Sequence, residues 1–158
     1  ADLNSECVGV LATPATAASG AYRRAIHACR PHTSVLEVGC PTFVPLIEAG
    51  DLQAPALIEE AKAYVEPLLV AGVDTVVLGC THYPMLRPLL TALLPPHVRL
   101  VDPAESAVRR LGPLLAIMGG MPEGELAAVE VVSPAERTRV CVSGSAEAFA
   151  DGASRWLG

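Results

Sequence analysis

The stretch Val73-Asp74-Thr75-Val76-Val77-Leu78-Gly79-Cys80-Thr81-His82-Tyr83-Pro84 decides the fold of this chain. Its first six residues form an apolar run, which predicts a buried strand of a parallel sheet. A thiol, a hydroxyl and an imidazole follow within the next four residues. Open α/β sheets place their ligand sites at the carboxyl ends of their strands. The stretch therefore predicts a parallel sheet with a chemical site at its edge.

Predicted strands and helices alternate along the rest of the chain. Apolar segments predict strands at residues 7–12, 34–39, 74–78, 98–101 and 137–142. Segments with helical spacing predict helices at residues 17–28, 43–49, 55–71, 84–94, 104–118 and 146–157, with Thr16 and Ser145 as N-caps of the first and the last. A loop rich in Gly, Pro and Glu is expected over residues 119–136. This alternation indicates an α/β fold with a parallel sheet flanked by helices.

The composition argues against several functional classes. The net charge is −6 and no basic cluster exceeds two arginines, so no nucleic-acid partner is expected. No uncharged apolar stretch reaches the roughly 18 residues that span a bilayer, so no membrane partner is expected. Five cysteines without a CxxC pair suggest neither a disulfide framework nor a metal site. Reduced thiols and the lack of a signal-peptide pattern favour a cytoplasmic protein.

Three predicted strand-to-helix junctions carry polar residues. They lie at residues 13–16, 39–42 and 80–83. The carboxyl ends of parallel strands meet at one edge of a sheet, so the three loops can surround one ligand. Each precedes a predicted helix, whose first N–H groups favour a carboxylate or a phosphate. None of the loops has a nucleotide-binding glycine pattern, so nucleotide binding has weak support.

Cys80 and His82 are the strongest pair of candidate residues. One interpretation is a buried thiol beside a histidine that satisfies a backbone carbonyl. Their place at the end of a strand favours the other interpretation, a reactive thiolate with a neighbouring imidazole. Thr81 serves either the turn or a substrate carboxylate. Cys40 also follows a strand, but it precedes a proline and is interpreted as structural.

The segment Gly79-Cys80-Thr81-His82-Tyr83-Pro84 closely resembles the second catalytic cysteine motif of glutamate racemases, in the aspartate/glutamate racemase superfamily. Residues 8–16 with 19–22, and residues 40–50, resemble the same family in the same order. The closing residues 142–145 and 156–158 are similar to the last strand and helix of the family. The resemblance thus covers nearly the whole chain.

This resemblance implies a fold of two pseudo-symmetric α/β lobes that hold glutamate between them without a cofactor or a metal. Each lobe would supply one cysteine, and Cys80 would be the second acid/base, acting as the base towards L-glutamate. His82 would assist Cys80, and Thr81 together with His82 would bind the substrate carboxylate. Glu48 would support the catalytic histidine.

The resemblance also implies a division of the chain. Residues 1–103 would form the second lobe, and residues 104–158 would pack on a leading lobe. The Asp-Ser-Gly and Cys-Asn-Thr motifs of that lobe do not occur in these 158 residues. Leu114, Leu115 and the apolar face near Val140 are therefore expected to lack their packing partner, which favours association. A homodimer is left open.

The leading hypothesis is part of a glutamate racemase, a cofactor-independent isomerase that supplies D-glutamate for peptidoglycan. The 158-residue chain by itself is not expected to be active, because the leading lobe with the first cysteine is missing from it. Two alternatives remain: a one-cysteine enzyme of the superfamily, such as a decarboxylase that protonates a planar intermediate from one face, and a non-enzymatic module that binds an anion. Both enzyme hypotheses need the Cys80 thiol, whereas the binding module does not.

Overall fold

The computed structural model describes residues 6–117 and 141–157. The described elements are β1 (Cys7–Ala12), α1 (Pro14–Ser19), α2 (Ala21–Cys29), β2 (Ser34–Gly39), α3 (Phe43–Glu48), α4 (Pro55–Val70), β3 (Thr75–Leu78), a 3₁₀ helix (Tyr83–Leu86), α5 (Arg87–Leu93), β4 (Arg99–Val101), α6 (Pro103–Ile117) and α7 (Ala146–Leu157). The chain divides into two compact units, Ala1–Arg110 and Leu111–Gly158. The division predicted between residues 103 and 104 stays a prediction. In the described ranges, no helix is both long and apolar enough to cross a membrane.

The strands β1 to β4 form a parallel sheet in the order β2-β1-β3-β4. Val10 of β1 pairs with Glu37 of β2 on one side and with Val77 of β3 on the other. The chain passes from β1 to β2 and then returns to β3, so the winding direction reverses between β1 and β3. Such a reversal opens a ligand crevice at the carboxyl ends of the two strands. The predicted fold class, a parallel sheet flanked by helices, is confirmed.

The helix predicted at residues 17–28 is wrong in its extent, because the structure has two helices there, α1 and α2. The N-cap of α1 is Thr13, whose side chain accepts a hydrogen bond from Thr16 N at 3.4 Å. Pro14 opens α1, at a position where a backbone N–H has no helical partner. Gly20 ends α1 with a φ of 64°, a left-handed conformation that favours glycine.

Glu37 of β2 caps the start of α2 from outside the helix. Gly20 offers no side chain there, and Glu37 Oε1 accepts a hydrogen bond from Arg23 N at 3.4 Å. Glu37 Oε2 also lies 3.8 Å from Arg23 Nε, and the Glu37 side chain is only 5% exposed. A carboxylate at a helix N-terminus is stabilising. The contact therefore holds α2 against the β2 strand.

The helix predicted at residues 84–94 is also divided, into the 3₁₀ helix and α5. Pro88 lies in the first turn of α5, where its missing N–H breaks no helical hydrogen bond. The other predictions within residues 6–117 agree with the structure to within one residue at each end, which is the usual uncertainty of helix and strand boundaries.

Three aromatic rings connect the loop after β2 to the loop after β3. Phe43 packs edge-to-face against Tyr64 and Tyr83, with ring centroids 5.0 and 5.2 Å away. Phe43 and Tyr83 are fully buried, and the Tyr83 hydroxyl donates a hydrogen bond to Cys40 O at 3.3 Å. The side chains of α4 that are buried recur at helical spacing: Leu57, Ala61, Val65 and Leu68. These contacts fix the positions of the two loops relative to each other.

The unit Leu111–Gly158 contains α7, which Ser145 caps as predicted. Ser145 Oγ accepts a hydrogen bond from Ala148 N at 3.2 Å. Leu114 is 54% exposed. The predictions for the side chain of Leu115, for Val140 and for the loop at residues 119–136 lie outside the described residues. Residues 137–140 of the predicted last strand also lie outside the described residues. Its last two residues, 141–142, are described and form no strand.

Candidate active site

The carboxyl edge of the sheet gathers the three predicted polar junctions. The loops at residues 13–16, 39–42 and 80–83 follow β1, β2 and β3. The backbone N–H groups of Cys40 and Gly79 each donate to a carbonyl of the neighbouring strand β1, at 2.8 and 2.7 Å. The ladder of hydrogen bonds thus continues into the loops and fixes the residues that precede the candidate thiol. The site lies at the reversal between β1 and β3, where a ligand crevice is expected.

Cys80, His82 and Glu48 form a chain of polar contacts beside β3. Cys80 Sγ lies 3.9 Å from His82 Nδ1, and His82 Nε2 lies 3.1 Å from Glu48 Oε1. An ionised carboxylate can only accept hydrogen bonds, so a contact with Glu48 requires His82 Nε2–H as the donor. In the neutral imidazole this tautomer leaves the lone pair on Nδ1, the nitrogen nearest the thiol. A thiol, an imidazole and a carboxylate in this order can form a thiolate–imidazolium pair oriented by the carboxylate.

The three predicted catalytic residues come from two parts of the chain. Glu48 is the last residue of α3, 34 positions before His82. The side chains of His82 and Glu48 are 33% and 62% exposed, and Thr81 is also exposed. Cys80 is half-buried. Cys80 therefore lies beside two side chains that solvent reaches.

A cavity of about 330 Å³ lies next to Cys80. Its lining includes Tyr22, Gly79, Cys80, Thr81 and Asp102. It therefore borders the loops after β3 and β4, and in the described part of the chain its lining does not reach the loops after β1 and β2. Across residues 6–117 and 141–157, no three side chains of His, Cys, Asp or Glu gather closely enough to hold a metal ion.

Tyr22 and Asp102 line this cavity although sequence reasoning gave neither residue a role. Asp102 follows β4 and accepts a hydrogen bond from Ala104 N at 2.9 Å, so it caps the start of α6. An Asp-Pro pair directly after a predicted strand is a helix-start pattern, and it could have placed a fourth polar junction at the same edge. Tyr22 reaches the site from α2, and the family resemblance of residues 19–22 gives it no role.

Cys40 is buried, as its interpretation as a structural residue requires. The residue is 1% exposed, and its Sγ lies 3.6 Å from Val38 O. Burial raises the pKa of the Cys40 thiol to about 12, from an ordinary value of 9.0. At neutral pH this thiol is a weak acid and carries no thiolate for proton transfer. Cys40 is therefore unsuited to the chemistry that the position of Cys80 allows.

We expect the buried Cys40 thiol to make stability depend on alkaline pH. Below pH 9.0 the thiol is neutral in both the folded and the unfolded chain; between 9.0 and about 12 only the unfolded chain loses this proton. The free energy of unfolding should therefore fall by up to about 1.4 kcal/mol per pH unit across this range. Denaturant titrations at several pH values would measure this slope, and the slope should be smaller in Cys40→Ala. Equal slopes in the two proteins would contradict the burial of a neutral thiol.

Comparison with known proteins places the chain in a family. The sequence model of the Asp/Glu/hydantoin racemase family matches residues 1–111, and the chain belongs to this family. The glutamate racemase of Synechococcus sp. (strain CC9605) is 49% identical over 151 residues, which are 96% of this chain and 55% of the relative. The glutamate racemase of Trichormus variabilis is 45% identical over 151 residues, which are 96% of this chain and 49% of the relative.

Solved structures of glutamate racemases have the same fold. The enzyme of Thermus thermophilus, in complex with β-chloro-D-alanine, matches with a TM-score of 0.73 and 31% identity over 96% of this chain and 53% of that chain. The enzyme of Francisella tularensis, in complex with D-glutamate, matches with a TM-score of 0.69 and 33% identity over 76% of this chain and 45% of that chain. The chain thus spans about half the length of the curated relatives that it matches. The predicted resemblance to glutamate racemases is confirmed, whereas the roles of individual site residues stay predictions.

Proposed function

We propose that this chain carries the Cys80 side of a cofactor-independent glutamate racemase. The observation that carries the proposal is the contact chain from Cys80 Sγ through His82 to Glu48, 3.9 and 3.1 Å, at the switch point of the sheet. The glutamate racemases to which the chain is similar supply the reaction class.

The proposed reaction begins with the thiolate form of Cys80. Proton transfer from Sγ to His82 Nδ1 gives a thiolate and an imidazolium, and Glu48 accepts the hydrogen bond from Nε2–H. The thiolate then takes the α-proton of L-glutamate: the Cα–H bond breaks, an S–H bond forms, and the electron pair spreads into the α-carboxylate. The hydroxyl and the N–H of Thr81 are proposed to hold that carboxylate, together with His82, where the negative charge develops.

Inversion at Cα requires a second acid on the opposite face. Cys40 follows β2, the strand next to β1. Its burial and the raised pKa of its thiol argue against the role of second acid. The curated relatives are about twice as long as the matched segment, so they hold room for such an acid outside it. We propose that the second acid is a cysteine from a part of the family fold that these residues do not include.

The proposed substrate is glutamate rather than aspartate, since the matched relatives are glutamate racemases.

The biological role would be the supply of D-glutamate for peptidoglycan in the bacterial cytoplasm. Free thiols among the described cysteines support a reducing compartment. The exposed apolar side chains of Leu111 and Leu114 would pack either on the leading lobe of the family fold or on a second copy of the chain, so a homodimer is left to measurement. Sedimentation velocity would decide that state.

The proposal is tested by polarimetry on the natural polypeptide that carries this chain. L-glutamate, L-aspartate and a disubstituted malonate are each supplied without added metal or cofactor. The racemase is supported if L-glutamate loses its optical rotation and the other two compounds do not react. Faster turnover of L-aspartate would overturn the assigned substrate, and release of carbon dioxide from the malonate would indicate the one-cysteine decarboxylase. No turnover of any of them would leave the anion-binding module.

We expect Glu48→Gln to lower kcat about tenfold. The amide keeps the size of the side chain but removes the charge that stabilises the imidazolium, and a hydrogen bond to a charged group contributes about 1.5 kcal/mol or more. Because Glu48 is 62% exposed, solvent screening keeps the effect near this lower limit. Steady-state kinetics would measure it, with Glu59→Gln as the control, since Glu59 pairs with Lys62 on the surface of α4. Equal kcat values in Glu48→Gln and the unsubstituted protein would contradict the support of His82 by Glu48.

A further inference from the structure

Tyr22 packs directly behind the residue that precedes Cys80. A Cβ atom placed on Gly79 would lie 3.0 Å from Tyr22 Cε2, so the ring is in close contact with the Gly79 backbone. Gly79 N also donates a hydrogen bond to Leu11 O at 2.7 Å. Gly79, the residue before the thiol, is therefore held against strand β1 and against the ring of Tyr22.

The same side chain lines the cavity beside the thiol. Tyr22, Cys80 and Asp102 all contribute to the wall of the 330 Å³ cavity. Burial raises the pKa of Tyr22, and negative charge on Cys80 and on Asp102 raises it further, so the phenol keeps its proton across the neutral range. Among the residues that the structure describes, the Tyr22 hydroxyl takes part in no hydrogen bond. Tyr22 thus brings a neutral phenol to the wall of the cavity that Cys80 also lines.

We propose that Tyr22 is a positioning residue for Cys80: its ring holds Gly79 in place, and its hydroxyl donates a hydrogen bond to Cys80 Sγ once the thiolate has formed. This inference rests on the proposed function only in taking Cys80 to react as a thiolate. The two parts of the side chain have separable effects. Tyr22→Phe removes the hydroxyl and keeps the ring, whereas Tyr22→Leu removes both.

The hydroxyl is tested by alkylation of the natural polypeptide with iodoacetamide at neutral pH, followed by mass spectrometry of the Cys80 peptide. Loss of a hydrogen bond to a charged group should lower the thiolate population about tenfold. The remaining thiolate is a better nucleophile, so the alkylation rate should fall only about threefold. Exposed Cys29 provides the internal reference, and its rate should stay unchanged. Buried Cys40 reports folding, because it should stay unlabelled in every folded variant.

Tyr64→Phe is the matched control, since the Tyr64 hydroxyl contacts Thr42 Oγ1 at 2.8 Å and does not line the cavity. It should leave the Cys80 rate unchanged. In racemisation, Tyr22→Phe should lower kcat with less than a twofold change in KM, and Tyr22→Leu should lower kcat further.

An unchanged Cys80 alkylation rate in Tyr22→Phe would overturn the role of the hydroxyl, and an unchanged kcat in Tyr22→Leu would overturn the role of the ring. Failure of the proposed function has a different signature. In that case Cys80 reacts no faster than Cys29 in the unsubstituted protein, and the inference falls with it.

Discussion

Cys80→Ser is expected to lower racemisation of glutamate about 10³-fold or more. The reaction needs a thiolate that takes the proton from Cα of glutamate. A serine hydroxyl is a far weaker acid than a thiol and stays protonated beside His82. Removal of a positioned acid or base typically costs about 10²- to 10⁴-fold, and here the same group must accept the proton in one direction and return it in the other. Polarimetry with L-glutamate and with D-glutamate would measure both directions.

The matched control for this prediction is Cys29→Ser. Cys29 is an exposed thiol at the end of α2, and its replacement makes the same chemical change away from the site. It should alter kcat less than twofold. If Cys80→Ser retained more than a tenth of the unsubstituted activity in both directions, Cys80 could not be the base, and the binding alternative would gain support.

Gly79→Ala is the second large expected effect, because it disturbs the fold and the site together. A Cβ at this position would lie 2.8 Å from Leu11 O, 3.0 Å from Tyr22 Cε2 and 3.1 Å from Ala12 Cβ. The nearest of these atoms is a backbone carbonyl of the central part of the sheet, which cannot move aside as the end of a flexible side chain can. Overpacking of this kind costs about 1–3 kcal/mol. A displacement of Cys80 by about 1 Å would lower kcat about 10²-fold.

Thermal or denaturant unfolding and steady-state kinetics would measure the two effects of Gly79→Ala. Gly112→Ala is the control, since a Cβ at Gly112, inside α6, meets no atom within 4 Å apart from its chain neighbours and the backbone of its own helix. The helix propensity of alanine and the clash of its Cβ with the following Pro113 act in opposite directions, so the stability should change by less than about 1 kcal/mol. Equal stability and activity in Gly79→Ala and Gly112→Ala would contradict the tight packing around the Cys80 turn.

The four strands within residues 6–117 could be predicted from the sequence because their signal is local. Short apolar runs such as 7–12 and 34–39 have the same bounds in the structure. The division of the first helix could not be predicted with the same certainty, since both Thr13 and Thr16 are good N-caps. The choice depends on Pro14, which favours the earlier start, and on the left-handed turn at Gly20.

The site divides in the same way between local and long-range information. Cys80 and His82 are two positions apart, so the sequence alone places them together. Glu48 was assigned through the resemblance to racemases, and only the packing of α3 brings its carboxylate to His82. Tyr22 and Asp102 come from α2 and from the end of β4, and no sequence pattern joins them to Cys80. Their place in the cavity follows from the strand order, which puts β4 beside β3.

The most direct test of the central claim is to follow the α-hydrogen of glutamate in D₂O. The natural polypeptide is used with no added cofactor and with a metal chelator present, and the glutamate is analysed by NMR and chiral separation. Two-sided proton transfer predicts that D-glutamate formed from L-glutamate carries deuterium at Cα, while the unreacted L-glutamate keeps its protium early in the reaction. Cys80→Ser should abolish this incorporation. Retention of protium in the product, or equal deuterium incorporation by Cys80→Ser, would contradict thiolate proton transfer at Cys80.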